Sequence, residues 1–224
     1  MTIEFRVLRT ADEVAELPVF EDRIWGGEDE RVSVNMMVAC IDEGGMALGA
    51  YDADRLVGSA FGFRTSDSRV LHSHYIAVDP EYRRSGLGEQ LKHRQAEWCS
   101  DNGVTAMRWT FDPLQLTNAH LNLNKLGALG VSYRVNHYGS LGGINGSLPS
   151  DRLTVQWELE RPRPLFGEHY VLTVPSVSPE QIAAAAPEAL RARLAIRDAM
   201  GPHLSDGWKV TGVDRHERTY TLSR

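Results

Sequence analysis

The chain of 224 residues is poor in cysteine, in cationic excess and in long apolar runs, and each shortage removes a class of protein. Its two cysteines, Cys40 and Cys99, stand far apart and match neither a disulfide framework nor a metal-ligand spacing. That pattern points to reduced thiols, a cytoplasmic location and no metal. Lys and Arg number 24 against 30 Asp and Glu, a net charge of -6, so the chain carries no footprint for nucleic acid or for an anionic membrane surface. No apolar stretch approaches the roughly 20 residues that span a bilayer, and the N-terminal Met-Thr-Ile-Glu-Phe-Arg lacks the basic-then-apolar order of an export signal. With 42% hydrophobic residues, the chain can fill one large domain, or one domain and an appendage.

What is present is concentrated between Val78 and Leu91. There a short strand runs through Asp79 and Pro80 into Arg83, Arg84, Ser85, Gly86, Leu87 and Gly88, and then into an amphipathic helix. Glycine lets successive backbone N–H groups converge on one anion, and the free N–H groups of the following helix add to the attraction. A P-loop would need a lysine and a hydroxyl after Gly88, and a dinucleotide fingerprint would need a third small residue where Leu91 stands. A pyrophosphate held by amides and arginines without a metal remains. The helix presents Leu87, Leu91 and Trp98 on one face with Glu89, Lys92 and Glu97 away from it, and Asn102-Gly103 should stop it.

Arg83, Gly86 and Gly88 in this setting resemble the Gln/Arg-x-x-Gly-x-Gly/Ala signature of the GNAT superfamily of acetyltransferases. The resemblance implies that residues Arg83 to Gly88 hold the pyrophosphate of coenzyme A. It also implies that amides around Ile76, Ala77 and Val78 bind the pantetheine arm between two splayed strands, and that Asn118 and Asn122 on a later helix contact the cofactor. More of the chain, roughly Met46 to Glu158, is similar to predicted acetyltransferases sharing Leu-His-Ser-His, Trp-Thr-Phe-Asp-Pro-Leu and Asn-Ala-His-Leu-Asn.

Coarse patterning predicts a strand over Ile3 to Leu8, a capping box at Thr10 and Glu13, a helix over Val34 to Asp42, and a hairpin of Met46 to Tyr51 with Leu56 to Phe63. Strands over Val70 to Val78 and Val104 to Phe111 follow, then a short helix from Asn118 to Leu126 and strands over Val131 to Tyr138 and Leu153 to Leu159. This is the GNAT order: an α/β (α+β) fold with a mixed, mostly antiparallel sheet flanked by helices. Glu160 to Pro164 ends the last strand, which sets residues 1–160 as the acyltransferase domain. Residues 165–224 read as a β-α-β-β extension, structural or dimer-forming.

For the reaction, direct attack of an amine on the thioester needs a base and no covalent enzyme intermediate. Alternation places His72 and His74 on one face of their strand, and Asp112 lies at the end of the next; His74 is the first candidate base and Asp112 the second. Aligned on Gly127, Leu123 occupies the place of the family's usual acid tyrosine, so Tyr133, Tyr138 or water must serve. Trp25, the Glu28-Asp29-Glu30 run and Leu141 to Ser147 are candidates for acceptor specificity. The expected activity moves an acetyl or short acyl group from acetyl-CoA or a related acyl-CoA to a primary amine of a small molecule. A succinyl-CoA-dependent amino acid N-acyltransferase and a non-catalytic acyl-CoA-binding module stay open as alternatives.

Overall fold

The computed structural model describes residues 2–26, 31–139 and 147–224. The chain forms two compact units, Met1–Arg108 and Trp109–Arg224, whose boundary falls inside one strand.

In the first unit, β1 (Ile3–Leu8), β2 (Met46–Asp52), β3 (Arg55–Arg64) and β4 (Val70–Val78) pair antiparallel in sequence order, and β4 then meets the start of β5 (Ala106–Phe111) in parallel. The capping box forms as the sequence predicts: the Thr10 hydroxyl accepts from Glu13 N while the Glu13 carboxylate accepts from Thr10 N at 2.9 Å, which starts α1 (Ala11–Val14). Then come α2 (Leu17–Trp25) and α3 (Val34–Asp42), whose Leu17, Phe20 and Met37 join Leu8, Tyr51, Leu56 and Phe61 in one buried cluster. The helix α4 (Leu87–Asp101) packs on β3 and β4. Its buried stripe is Leu87, Leu91, Gln95 and Cys99, joined by Lys92, which the residue types had assigned to the polar face.

The second unit continues from the end of β5 through α5 (Leu116–Ala119) and a π-helical turn, His120–Lys125. Its strands are β6 (Leu129–Arg134), β7 (Arg152–Glu158), β8 (His169–Thr173), β9 (Lys209–Asp214) and β10 (Thr219–Ser223), in the spatial order β7-β6-β9-β10-β8. The expected strand to Tyr138 stops at Arg134, because Asn136 turns the chain with φ +46. Ser178 caps the short α6 (Pro179–Ala183), and Pro187, pre-set for a first helical turn, opens α7 (Pro187–Ser205). That helix buries Ala189, Ala192, Arg193, Ile196, Met200 and Leu204, one stripe at helical spacing, and packs on β6 and β9. The β-α-β-β order of the C-terminal segment is as expected, and its strands extend the sheet of β6 and β7 through the pair Gly130↔Val210.

That pair requires glycine: a Cβ on Gly130 would lie 2.7 Å from Val210 Cβ. Gly130→Ala should therefore destabilise the chain by about 2 kcal/mol, a drop of roughly 5 °C in melting temperature. An unchanged melting curve would refute this account of how β9 seats against β6.

Candidate functional site

Strand β4 is shared unequally by its neighbours. On the β3 side the ladder runs from Arg64↔Leu71 to Gly58↔Val78, with one slip: Phe61 faces Tyr75 and Gly62 faces Ser73, so His74 is the extra residue of a bulge. On the β5 side, among the described residues, pairing comprises only Val70↔Ala106, Leu71↔Met107 and His72↔Arg108. Beyond His72 that edge of β4, including Ile76, Ala77 and Val78, has no ladder partner from β5.

The bulge sets the direction of His74. Its ring lies among those of His72 (6.2 Å between centroids), Phe61 (6.1 Å), Phe63 (5.9 Å) and Tyr75 (6.1 Å), and His72 stacks on Phe63 at 4.9 Å. One side of the His74 ring stays open to solvent, yet these neighbours strip part of its hydration, and its pKa falls below the ordinary 6.5. His72 and His74 thus share a face, as alternation predicts, although a bulge intervenes.

After Val78 the chain turns hard. The buried Asp79 accepts from Glu81 N at 3.0 Å and pairs with Arg55 at 2.8 Å, which anchors the 3-10 turn Pro80–Tyr82. Arg84 adopts φ +67 and Gly86 φ +86, both left-handed, and Ser85 Oγ donates to Tyr82 O at 2.6 Å while accepting from Leu87 N at 3.3 Å. The strain at Arg84 costs about 1–2 kcal/mol. Gly86 is the N-cap of α4 and supplies no side chain, and among the described residues the N–H groups of Gly86 and Gly88 find no protein acceptor. Arg83 and Arg84 are exposed, and neither has a carboxylate partner among the described residues. Leu87 is buried and roots the turn in the core. Four features therefore converge: left-handed backbone, unpaired amides, a helix N-terminus and two unpaired cations. Together they build an anion cradle.

The same helix reaches back to the bulge. Lys92 Nζ donates to Ser73 Oγ at 2.8 Å, Ser73 Oγ donates to Gln95 Oε1 at 2.8 Å, and all three residues are buried. Burial pulls the Lys92 pKa well below its usual value. Ser73 precedes the bulged His74, so α4 fixes both the cradle at its start and the strand irregularity beside its second turn. On the face lined by α2, Glu21 Oε1, Ser59 Oγ and Tyr75 Oη are buried close enough to perturb one another, but none closes a hydrogen bond of good geometry. Burial lifts the Glu21 carboxyl to about 7, and Trp25 packs edge-on against Tyr75 at 5.5 Å.

In the second unit, both oxygens of Asp112 are held by Arg193 of α7, at 2.5 and 2.7 Å, and Oδ1 also accepts from Leu114 N. This carboxylate is engaged. Asn122 Nδ2 donates to Asn118 Oδ1 at 3.3 Å; Asn118 is exposed and Asn122 buried, so the pair forms although the turn beyond it is π-helical. Leu123, in the position expected for an acid, is fully buried. Tyr133 donates to Asp151 at 2.9 Å, and burial and that carboxylate raise its pKa, whereas Tyr138 is exposed with its hydroxyl 3.0 Å from Thr110 Oγ1. Glu28-Asp29-Glu30 and residues 141–146 lie outside the described residues. Among the described residues, no three His, Cys, Asp or Glu side chains are placed to hold a metal, and no helix is long and apolar enough to cross a membrane.

A family model described as the acetyltransferase (GNAT) family matches residues 11–127, just over half the chain. Streptothricin acetyltransferase A of Bacillus subtilis is 24% identical over 113 residues, 46% of this chain and 65% of that protein, so the chain spans less than two thirds of that relative. The ribosomal-protein-S18-alanine N-acetyltransferase of Escherichia coli superposes with a TM-score of 0.57 at 17% identity, covering 72% of this chain and 96% of that one. A Salmonella typhimurium structure described as an acetyltransferase with its cofactor acetyl-CoA gives 0.57 at 15% identity, covering 74% and 98%. These likenesses show the fold.

The Glu21 carboxyl yields a pH-dependent expectation. Its folded pKa is raised, so it supports stability fully below about 4.5 and withdraws that support as pH rises through about 7. Glu21→Gln should melt higher than the unaltered chain at pH 8 and show little difference at pH 5. Equal melting shifts at both values would contradict the raised pKa.

Proposed function

The chain belongs to the GNAT acetyltransferase family, and on that footing we propose that it moves an acetyl or other short acyl group from acyl-CoA to the primary amine of a small molecule. The observation that carries the reading is the cradle: the acceptor-less amides of Gly86 and Gly88 at the uncapped start of α4, flanked by Arg83 and Arg84 without carboxylate partners. These groups suit a pyrophosphate, and no described residue of the first unit answers them. Coenzyme A, when bound, supplies the acyl group as an activated thioester.

The chain's own residues then have distinct tasks. Arg83 to Gly88 hold the pyrophosphate, the unpaired edge of β4 from Ile76 to Val78 lines the arm, and Asn118 and Asn122 are proposed as further contacts. His74 takes the proton from the incoming amine, and its lowered pKa keeps the imidazole neutral and competent at pH 7. Asp112, held by Arg193, positions the end of β5. With Leu123 buried, the departing thiol takes its proton from water or from the exposed Tyr138; a thiol with a pKa near 8.5 needs little assistance. We assign residues 165–224 a structural role, because their strands complete the sheet of β6 and β7.

Calorimetry with coenzyme A should give a binding heat that Gly86→Ala and Arg84→Ala each weaken by about tenfold or more. Unchanged affinity in both variants would refute the cradle. His74→Ala should keep that affinity and lower kcat by roughly 10²–10⁴. In the unaltered chain the acidic limb of kcat/KM should inflect below 6.5, since the depressed pKa preserves the neutral base to lower pH. An inflection above 6.5, or one that persists in His74→Ala, would assign the base elsewhere.

A further inference from the structure

Burying a guanidinium without an anion is costly, and the second unit does so at Arg152 on β7. Two carboxylates and three guanidiniums meet there. Arg193 takes both oxygens of Asp112, and Arg197 takes both oxygens of Asp151 at 2.8 Å each. Arg152 is left over. It is only 8% exposed, and among the described residues its one hydrogen bond is from Nη1 to the Asp151 carbonyl at 3.0 Å and no carboxylate lies within ion-pair distance. Asp112 attracts it across space but has given its oxygens to Arg193. A second donor nearby is also unsatisfied, since Arg193 Nε is buried without an acceptor. Arg134, opposite Arg152 in the β6–β7 register, adds further positive charge.

The surroundings define the missing anion. The Arg152 guanidinium lies 5.5 Å from the ring centre of the exposed Tyr138, whose hydroxyl meets Thr110 Oγ1 on β5. A planar guanidinium beside an aromatic ring and two hydroxyls fits one flat, two-oxygen anion. We infer that Arg152, with Tyr138, is a specificity-determining site for a carboxylate carried by a substrate of the transfer reaction. This rests on the acyltransferase reading given above. The carboxylate has two sources in that chemistry: an amino acid acceptor, or the far end of a dicarboxylic acyl-CoA such as succinyl-CoA.

The test compares matched substrates. With acetyl-CoA, kcat/KM is measured for a panel of α-amino acids and for their carboxamides. With the carboxamides as acceptors, succinyl-CoA is compared with acetyl-CoA, both in kcat/KM and in affinity by calorimetry. The unaltered chain should prefer the carboxylate-bearing partner in one arm by about 10- to 100-fold, and that arm names the source. Arg152→Met should abolish the preference through KM or Kd with coenzyme A affinity unchanged, and Arg152→Lys should restore part of it. No preference in either arm, or one that survives in Arg152→Met, overturns the inference; the first of these results needs no variant to fold. Absence of any heat with coenzyme A overturns the acyltransferase reading instead, so the two failures are distinguishable.

Discussion

Backbone amides that find no acceptor within a chain must find one outside it, and the first unit is arranged around that constraint. Among the described residues, strand β4 pairs with β3 from Leu71 to Val78 save the bulged His74, but gives only three residues to β5. Its end leads into a turn in which, among the described residues, the amides of Gly86 and Gly88 meet no acceptor, and the helix that follows begins with a glycine that offers no side-chain cap. None of these would persist in a fold selected for stability alone. Each is what the proposed site calls for, in which an extended, doubly negative ligand would lie along the strand and end at the helix.

The two ends of that ligand site are tied together by one element. α4 starts at the cradle and, one and a half turns later, sends Lys92 and Gln95 onto Ser73, the neighbour of the bulged His74. One helix therefore spaces the proposed pyrophosphate cradle from His74, the proposed base. In the second unit, by contrast, side chains dominate: Asp112, Asp151, Arg193 and the half-buried Arg197 form an ionic lattice in which each carboxylate has a bidentate partner, and Arg152 is the exception.

The parts legible in the sequence are those encoded locally. Gly86 and Gly88 announce a turn and a helix start because φ and capping depend on a few neighbours, and the capping box at Thr10 and Glu13 was readable for the same reason. The bulge at His74 was not, since a register slip is decided by how β3 lies against β4. Lys92 was placed on the polar face because periodicity treats lysine as exposed, whereas here a serine and the strand beneath receive it. Asp112 looked like a free carboxylate beside a proline, and its partner Arg193 stands 81 residues away in sequence. Nothing local in the sequence marks Arg152; the pairing of the nearby carboxylates with Arg193 and Arg197 singles it out.

Arg84 holds a left-handed conformation inside a turn fixed by the chain's own hydrogen bonds, from Glu81 N to Asp79 and between Ser85, Tyr82 and Leu87. The conformational penalty is thus met once, during folding, rather than at each encounter. A pyrophosphate taken by the proposed cradle would meet a loop held in shape by the chain itself, so association would be governed by diffusion and by the pull of two arginines, and sequence changes in the turn would be felt chiefly in how long the complex lasts.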